Sequence, residues 1–424
     1  MKEINIGLFG FGTVGGGVVD TINRNSGIIT EKTGVRLKLK KIVDIDIKRD
    51  RGIPLGKATL SKNKSDILDD ESISIVIELI GGAGIAREIV TEALKKKKHV
   101  VTANKELIAR HGMELESIAR KNGVMLLFEA AVGGGIPILT PLLTCLRANK
   151  INRVMGIVNG TTNFILTQME SAGADFSDVL KEAQSRGYAE ADPTNDVEGF
   201  DAAYKAVVLA AAAFGKYVNV GKIFREGITK ISGDEMKFAN ELGYTIKLLA
   251  TLENLKDCID VRVHPALLPK SHPLASVHGV LNAVYVEGKP IGPLMFVGEG
   301  AGPSATSSAV VGDAIAIATG CNDNDRRPDV FVKSELAPIE KIRNAFYIRM
   351  RVADKSGVLA ETAKCFGQSK VSIASMMQRL TANGHAEIVW LTHKTTEGAL
   401  KEAIGKIKKL KCVDEVVSVI RVYE

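Results

Sequence analysis

Asp201 and Lys205 stand four residues apart, so on a helix they share a face. The following run, Ala206 to Phe214, is almost wholly small and apolar, which predicts a buried helix with a lysine at its entrance. Burial disfavours a charged amine, lowers its pKa and fits it for proton transfer. Just upstream runs Gly187-Tyr188-Ala189-Glu190-Ala191-Asp192-Pro193, an acidic stretch that could add carboxylates to the same neighbourhood. By themselves Asp201 and Lys205 fit an ordinary helical ion pair equally well. A second lysine, Lys105, ends the stretch Thr102-Ala103-Asn104-Lys105 after the short apolar strand His99-Val100-Val101. At a strand tip it can hold a substrate carboxylate or donate a proton; a solvated loop lysine would occupy the same place.

These groups need a scaffold, and the amino-terminal segment supplies a recognisable one. Ile4 to Phe9 is an apolar strand, and Gly10-Phe11-Gly12-Thr13-Val14-Gly15 then opens a helix through Val18, Val19 and Ile22. Glycines at that spacing give a tight turn, close approach of a pyrophosphate and close helix packing, and the helix start supplies oriented N–H groups. The second strand, Leu37 to Val43, ends at Asp44, later than the usual spacing, so a longer first helix and loop must intervene. Asp44 is placed to bond a ribose 2′-hydroxyl, as in NAD sites, whereas Lys48, Arg49 and Arg51 could hold the 2′-phosphate of NADP. Both cofactors stay open. Ser74 to Ile80 predicts a buried parallel strand with Gly81-Gly82 at its carboxyl end, where ligands of open α/β sheets sit.

Composition narrows the class. A chain of 424 residues with 45% hydrophobic and 25% charged residues has the make-up of a globular enzyme of two or three domains. Its apolar runs fall short of the roughly 18 residues of a membrane span, and Met1-Lys2-Glu3 leads straight into a strand pattern instead of a signal peptide, so a cytoplasmic location without a membrane is expected. Cys145, Cys258, Cys321, Cys365 and Cys412 lack any C-x-x-C spacing and read as reduced thiols. The net charge of +7 comes with 49 interleaved acids and 5% aromatics, which argues against a nucleic-acid partner. Lys95 to Lys98 are expected to close a helix at its negative end. His264, His272 and His278 are placed in one loop, with spacing that does not suit a helical zinc site.

The polar, turn-rich run Asn322 to Pro328 suggests a linker extending to about Asn344. Beyond it Phe346 to Val352 alternates as a strand, and Asp354-Lys355-Ser356-Gly357-Val358-Leu359 turns into a helix. Strands follow at Ala374 to Arg379 and His385 to Thr392, then a helix from Glu397 to Leu410 and a strand from Val413 to Val422. The order β-α-β-β-α-β is ferredoxin-like.

Several of these segments, together with Glu129-Ala130-Ala131-Val132-Gly133-Gly134-Gly135-Ile136-Pro137 and Asn159-Gly160-Thr161-Thr162-Asn163, resemble homoserine dehydrogenase over nearly the whole chain. The resemblance implies an α/β fold in three parts. Residues 1–130 would be a Rossmann NAD(P)-binding domain, completed by about 300–335. Residues 131–335 would be an α+β substrate and dimerisation domain, and 345–424 a regulatory ACT domain that binds an amino acid, L-threonine foremost, at the Asp354 to Leu359 turn. It implies a monofunctional enzyme, a homodimer or homotetramer, that interconverts L-aspartate 4-semialdehyde and L-homoserine with NADP or NAD. Lys205 would carry the proton, Lys105 would lie beside substrate and nicotinamide, and Glu190, Asp201 and Gly187 would frame the amino acid. Hydride transfer to the aldehyde carbon with a proton from a lysine ammonium needs no nucleophile or zinc. The Gly10 to Gly15 turn, Asp44, Arg49 and Gly302 would face the cofactor, the last from a second turn, Gly300 to Ser304, before a helix from Ala305 to Thr319. Backbone carbonyls of Glu129, Val132, Gly134 and Ile136 would hold a structural sodium ion, since hard cations take oxygen ligands. Truncation near Asn344 is expected to leave an active enzyme that ignores threonine, with stability lowered where a dimer contact is lost. Two competing readings are an aspartate-semialdehyde dehydrogenase, for which Cys145 lacks the context of a nucleophile, and a non-catalytic amino-acid sensor, which would need neither lysine.

Overall fold

The computed structural model describes residues 2–320, 332–380 and 384–423. Its amino-terminal part alternates strand and helix: β1 (Lys2–Phe9), α1 (Thr13–Thr33), β2 (Val35–Val43), β3 (Thr59–Ser61), α2 (Ser65–Leu68), β4 (Ile73–Glu78), α3 (Gly84–Lys95), β5 (His99–Thr102), α4 (Lys105–Lys121) and β6 (Leu126–Leu127). The strands form one parallel sheet in the order β3-β2-β1-β4-β5-β6. Strand order reverses between β1 and β4, so their carboxyl ends open a crevice flanked by the Gly10–Gly15 and Gly81–Gly82 turns. The 21 residues of α1 account for the late position of Asp44. Lys95 to Lys97 do end α3, but Lys98 turns inward. Its Nζ donates to the carbonyls of Asp70 at 2.6 Å and Ile73 at 2.8 Å, so it ties a turn to β4 instead of facing solvent.

The next stretch holds α5 (Leu139–Leu143), β7 (Lys150–Ile157), α6 (Gly160–Ala172), α7 (Phe176–Ser185), α8 (Thr194–Val197), α9 (Phe200–Phe214), β8 (Lys216–Tyr217), β9 (Phe224–Arg225), α10 (Gly233–Glu241), β10 (Tyr244–Asn254), β11 (Ile259–Pro269), β12 (Leu281–Lys289), β13 (Gly292–Glu299) and α11 (Pro303–Thr319). Because α9 carries alanine, valine and leucine all round, it is buried from Ala202 to Ala212 apart from the half-buried Tyr204. Helix α11 returns to the amino-terminal part: Val310, Val311, Ala314 and Ile317 share a core with Ile6, Leu8, Val18 and Val19. The histidines do not share a loop. His264 lies inside β11 and is fully buried against Tyr423, whose hydroxyl is 3.2 Å from Nε2, because the apolar strand extends to Pro269. His272 accepts the Leu274 N–H and caps the short turn after it.

Cys321 and the start of the expected linker, Asn322 to Pro328, lie outside the described residues. From β14 (Val332–Lys333) onward the chain is a strap rather than a free linker: β14 pairs with β8, and Ile259 and Glu335 to Ala337 exchange backbone hydrogen bonds. The rest comprises β15 (Arg343–Ala353), α12 (Val358–Gln368), β16 (Ile373–Leu380), β17 (His385–Thr392), β18 (Thr395–Thr396), α13 (Glu397–Ile407) and β19 (Val413–Val422). The four long strands run antiparallel in the order β19-β15-β17-β16. They do not form a detached module. Strand β19 pairs in parallel with β11, Leu267 opposite Val422, which merges both groups into one sheet of 11 strands. Tyr347, Ile420 and Val422 join the core that contains β10 and β11. Arg349 reaches Glu235 of α10 at 2.5 Å, and Arg421 reaches Glu226 at 2.6 Å. Among the described residues no helix is long and apolar enough to cross a membrane.

Candidate active site

Strand β7 delivers Val158 and Asn159 to the start of α6, where the Asn159 side chain accepts the Thr162 N–H at 2.9 Å and caps the helix. Its amide also donates to Asp196 at 2.7 Å and to Asp201 at 2.9 Å. Asp201 lies in the first turn of α9 and Lys205 one turn later. Lys205 Nζ donates to Asp201 Oδ2 at 2.7 Å and to the Val158 carbonyl at 2.7 Å. Across the crevice Lys105, the first residue of α4, places Nζ 3.0 Å from Asp201 Oδ1. One carboxylate thus bridges two ammonium groups, one from the parallel-sheet part and one from the helix α9 that follows it. Lys205 is buried, whereas the Lys105 side chain is 45% exposed and open to a ligand.

The electrostatics follow from that geometry. Burial alone would raise the Asp201 carboxyl, but Lys205 and Lys105 outweigh it and hold it below the usual carboxylate range. Burial pulls Lys205 down, opposed by Asp201 and assisted by Lys105. Lys105 moves up because of Asp201. Asp196 is raised, first by burial and then by the neighbouring Asp201 charge. Glu190 is exposed and contributes to the field that raises Lys105. Gly187, at φ 74°, ends the turn after α7 that leads the chain back to Glu190. Asp196 has no role in the sequence reading, and Asn159 stands there only within the Asn159 to Asn163 segment, without a function of its own. The signal for Asn159 was its place before Gly-Thr-Thr, the signature of a helix cap.

In the dinucleotide crevice Gly10 has φ 91°, and a side chain there would come within 2.6 Å of the Leu79 carbonyl. A side chain at Gly15 would strike the Gly10 carbonyl. Gly12 faces open space at the helix start, beside Thr13 and Val14. Gly17, outside the fingerprint, is equally constrained, since a Cβ there would lie 2.7 Å from the Pro303 carbonyl. It lets α11, opened by Gly302 at φ 113°, bring its amino end beside that of α1. A cavity of about 660 Å³ runs along these turns to Arg24, Arg49 and Arg51. Asp44 is not left free at its edge: it accepts the Phe11 N–H at 2.6 Å and pairs with Arg51 at 3.2 Å. The Arg51 guanidinium also lies over the Phe11 ring. Arg49 is exposed.

Glu129 turns its carboxylate onto the N–H groups of Ile138, Leu139 and Thr140, at 2.6–2.8 Å, and so anchors the turn that follows it. Val132, Gly134 and Ile136 are buried, and among the described residues no backbone hydrogen bond of the surrounding turns uses their carbonyls. Gly134 has φ 53° and packs against the Gly300 backbone, so only a glycine fits. Cys145 is exposed, with the Thr144 hydroxyl as its neighbour instead of a base.

Two family models match: homoserine dehydrogenase over residues 137–315 and the homoserine dehydrogenase NAD binding domain over 10–129. Homoserine dehydrogenase of Neisseria gonorrhoeae is 41% identical, with 99% of each chain covered, and that of Bacillus subtilis is 40% identical over 100% of this chain and 99% of its own. The crystal structure of a homoserine dehydrogenase from Thiobacillus denitrificans superposes with a TM-score of 0.95 at 42% identity, covering 100% of this chain and 99% of that one. A hyperthermophilic archaeal homoserine dehydrogenase in complex with NADPH matches 74% of this chain and 97% of its own, at 29% identity and a TM-score of 0.64. The chain belongs to the homoserine dehydrogenase family and is an oxidoreductase that works with a nicotinamide dinucleotide.

Proposed function

We propose that the Asp201 carboxylate, bridging Lys105 and Lys205, is the working centre for interconversion of L-aspartate 4-semialdehyde and L-homoserine. That bridge carries the proposal, because it sets two cations at the mouth of the cofactor crevice. Bound nicotinamide supplies or accepts the hydride at the carbon that bears oxygen. Lys205, lowered by burial, gives the aldehyde oxygen its proton in reduction and takes it back in oxidation. Asp201 spends its lone pairs on Lys105, Lys205 and Asn159, so it positions cations; Glu190 and Asp196 are the acids left to take the substrate ammonium, with the Gly187 turn framing them. Purified protein should reduce a nicotinamide dinucleotide when given L-homoserine, and absence of turnover with both NAD and NADP would overturn the proposal.

NADP is the preferred cofactor in this reading. Arg51 neutralises Asp44, and Arg49 adds an exposed charge at the adenosine end, which suits a 2′-phosphate. The archaeal relative in complex with NADPH supports the same choice. Arg49→Glu should weaken NADP binding by roughly tenfold or more while altering NAD by less than about threefold, as measured by titrating each cofactor. Equal losses would place Arg49 away from the ribose.

A sodium ion fits the turn from Glu129 to Ile136, with carbonyls of Glu129, Val132, Gly134 and Ile136 as its ligands, because three of these lie in buried residues without a turn hydrogen bond. Residues 345–424 serve as an ACT regulatory domain, supported by the β-α-β-β-α-β order and its ferredoxin-like strand arrangement. The enzyme assembles as a homodimer or homotetramer, supported by the apolar Met295 and Val297 side chains exposed along β13, which ends the merged sheet.

A further inference from the structure

Glu78, the last residue of β4, has no exposed surface, and no ion pair reaches it among the described residues. A buried carboxylate without a cation is costly unless hydrogen bonds replace its water. Here they do. One oxygen accepts the N–H of Ile80 at 2.7 Å and that of Gly81 at 3.4 Å, and the other accepts the Thr102 hydroxyl at 2.6 Å. The Thr102 oxygen in turn accepts the Asn104 N–H at 3.0 Å. Asn104 closes the ring, since its side-chain amide donates to the Gly82 carbonyl at 2.7 Å while its oxygen accepts the Leu107 N–H and caps α4. Burial pushes the Glu78 carboxyl up, and the hydrogen bonds from Thr102 and the turn oppose it.

The ring joins the carboxyl ends of β4 and β5 to the glycine turn on one side and to the first turn of α4 on the other. A small cavity of about 210 Å³ sits directly on it, lined by Leu79, Gly81, Gly82, Asn104 and Lys105. We propose that Glu78 is a positioning residue for Lys105, acting through Thr102 and Asn104 to keep the lysine in reach of Asp201. This rests on the reading of Lys105 as part of the site. An isosteric glutamine would present one acceptor and a donor amide. Thr102 would have to turn its hydroxyl to accept from that amide, its own hydrogen would lose its acceptor, and the Asn104 N–H would be displaced. Displacing the start of α4 moves Lys105, and a misplacement of about 1 Å can cost roughly a hundredfold in rate.

The test compares kcat/KM for L-homoserine in Glu78→Gln, Thr102→Val and Thr102→Ser, each alone and with Lys105→Ala. Glu78→Gln and Thr102→Val should each lose roughly tenfold or more, with Thr102→Ser within about twofold of the parent because it keeps the hydroxyl. Combining Glu78→Gln with Thr102→Val should cost no more than the worse single change, since both break one ring. With Lys105→Ala already present, Glu78→Gln should remove less than about another twofold. Should Glu78→Gln fail to fold, the contrast between Thr102→Val and Thr102→Ser carries the test. Parent-like activity in Glu78→Gln, or an undiminished loss in the Lys105→Ala background, overturns the inference while leaving the site reading intact. Parent-like activity in Lys105→Ala itself overturns both.

Discussion

At the scale of single residues, Asp201 explains why two lysines can share one crevice: its carboxylate accepts from both, and Asn159 holds it in place. Lys205→Ala should lower kcat by roughly 100-fold or more, the usual loss for a general acid or base, while the NADP dissociation constant stays within about threefold. A kcat within a few-fold of the parent would assign the proton to Lys105 or water. Lys247 offers a different residue-level test. It is buried in β10, its Nζ donates to the Val277 carbonyl at 2.7 Å, and burial lowers its pKa from 10.5 to about 8. Between those two values the folded chain binds fewer protons than the unfolded one, so this group's contribution to stability rises with pH, by up to roughly 3 kcal/mol. The Tm of the parent minus that of Lys247→Met should therefore increase between about pH 7.5 and pH 10. A constant difference would show that Lys247 titrates as a free lysine.

At the scale of elements, the i, i+4 spacing placed Asp201 and Lys205 on one face of α9 before any tertiary information, and the helix is there. The end of the chain is the contrary case. Its strand and helix order was legible from alternation and turns, but its attachment was not, since sheet edges carry no sequence label for the strand that joins them. With β19 beside β11 and Tyr347, Ile420 and Val422 in the shared core, a chain ending near Asn344 would open Leu267 and that core to water and strip Glu235 of Arg349. Each large apolar side chain so exposed gives up roughly 1.5–3 kcal/mol of burial. The truncated chain should melt at least about 5 °C lower than the parent or aggregate, while any folded fraction is expected to stay active and to ignore threonine. A soluble truncated enzyme with an unchanged Tm would show that the shared sheet adds no stability.

At the scale of the whole molecule, the same attachment offers a route for regulation. Arg421 of β19 grips Glu226, whose N–H bonds Val263, and two residues on the Ile228 N–H bonds the Val197 carbonyl at the end of α8, beside Asp196. An effector held by residues 345–424 inhibits only if it binds a less active arrangement more tightly than the active one. L-Threonine at millimolar concentration should lower the rate of homoserine oxidation and raise Tm by a few degrees, as expected for any ligand well above its dissociation constant. Unaltered rates and an unaltered Tm would remove threonine as the effector.

The sequence by itself determined what local chemistry and periodicity can encode. The glycine turn after β1, the long α1 implied by the late Asp44, the buried α9 and the β-α-β-β-α-β order all follow from backbone needs and patterns that neighbouring residues carry. Tertiary structure alone decided which distant groups meet. Lys105 and Asp201 are 96 positions apart in the chain, and their 3.0 Å contact depends on how a parallel sheet and a mixed sheet close on one another. The burial of His264 and Lys98, the return of α11 to α1 across Gly17, and the fusion of the last strands to β11 belong to the same class. Each depends on long-range packing, where burial and charge pairing outweigh local preference and adjacency in the chain says nothing of adjacency in space.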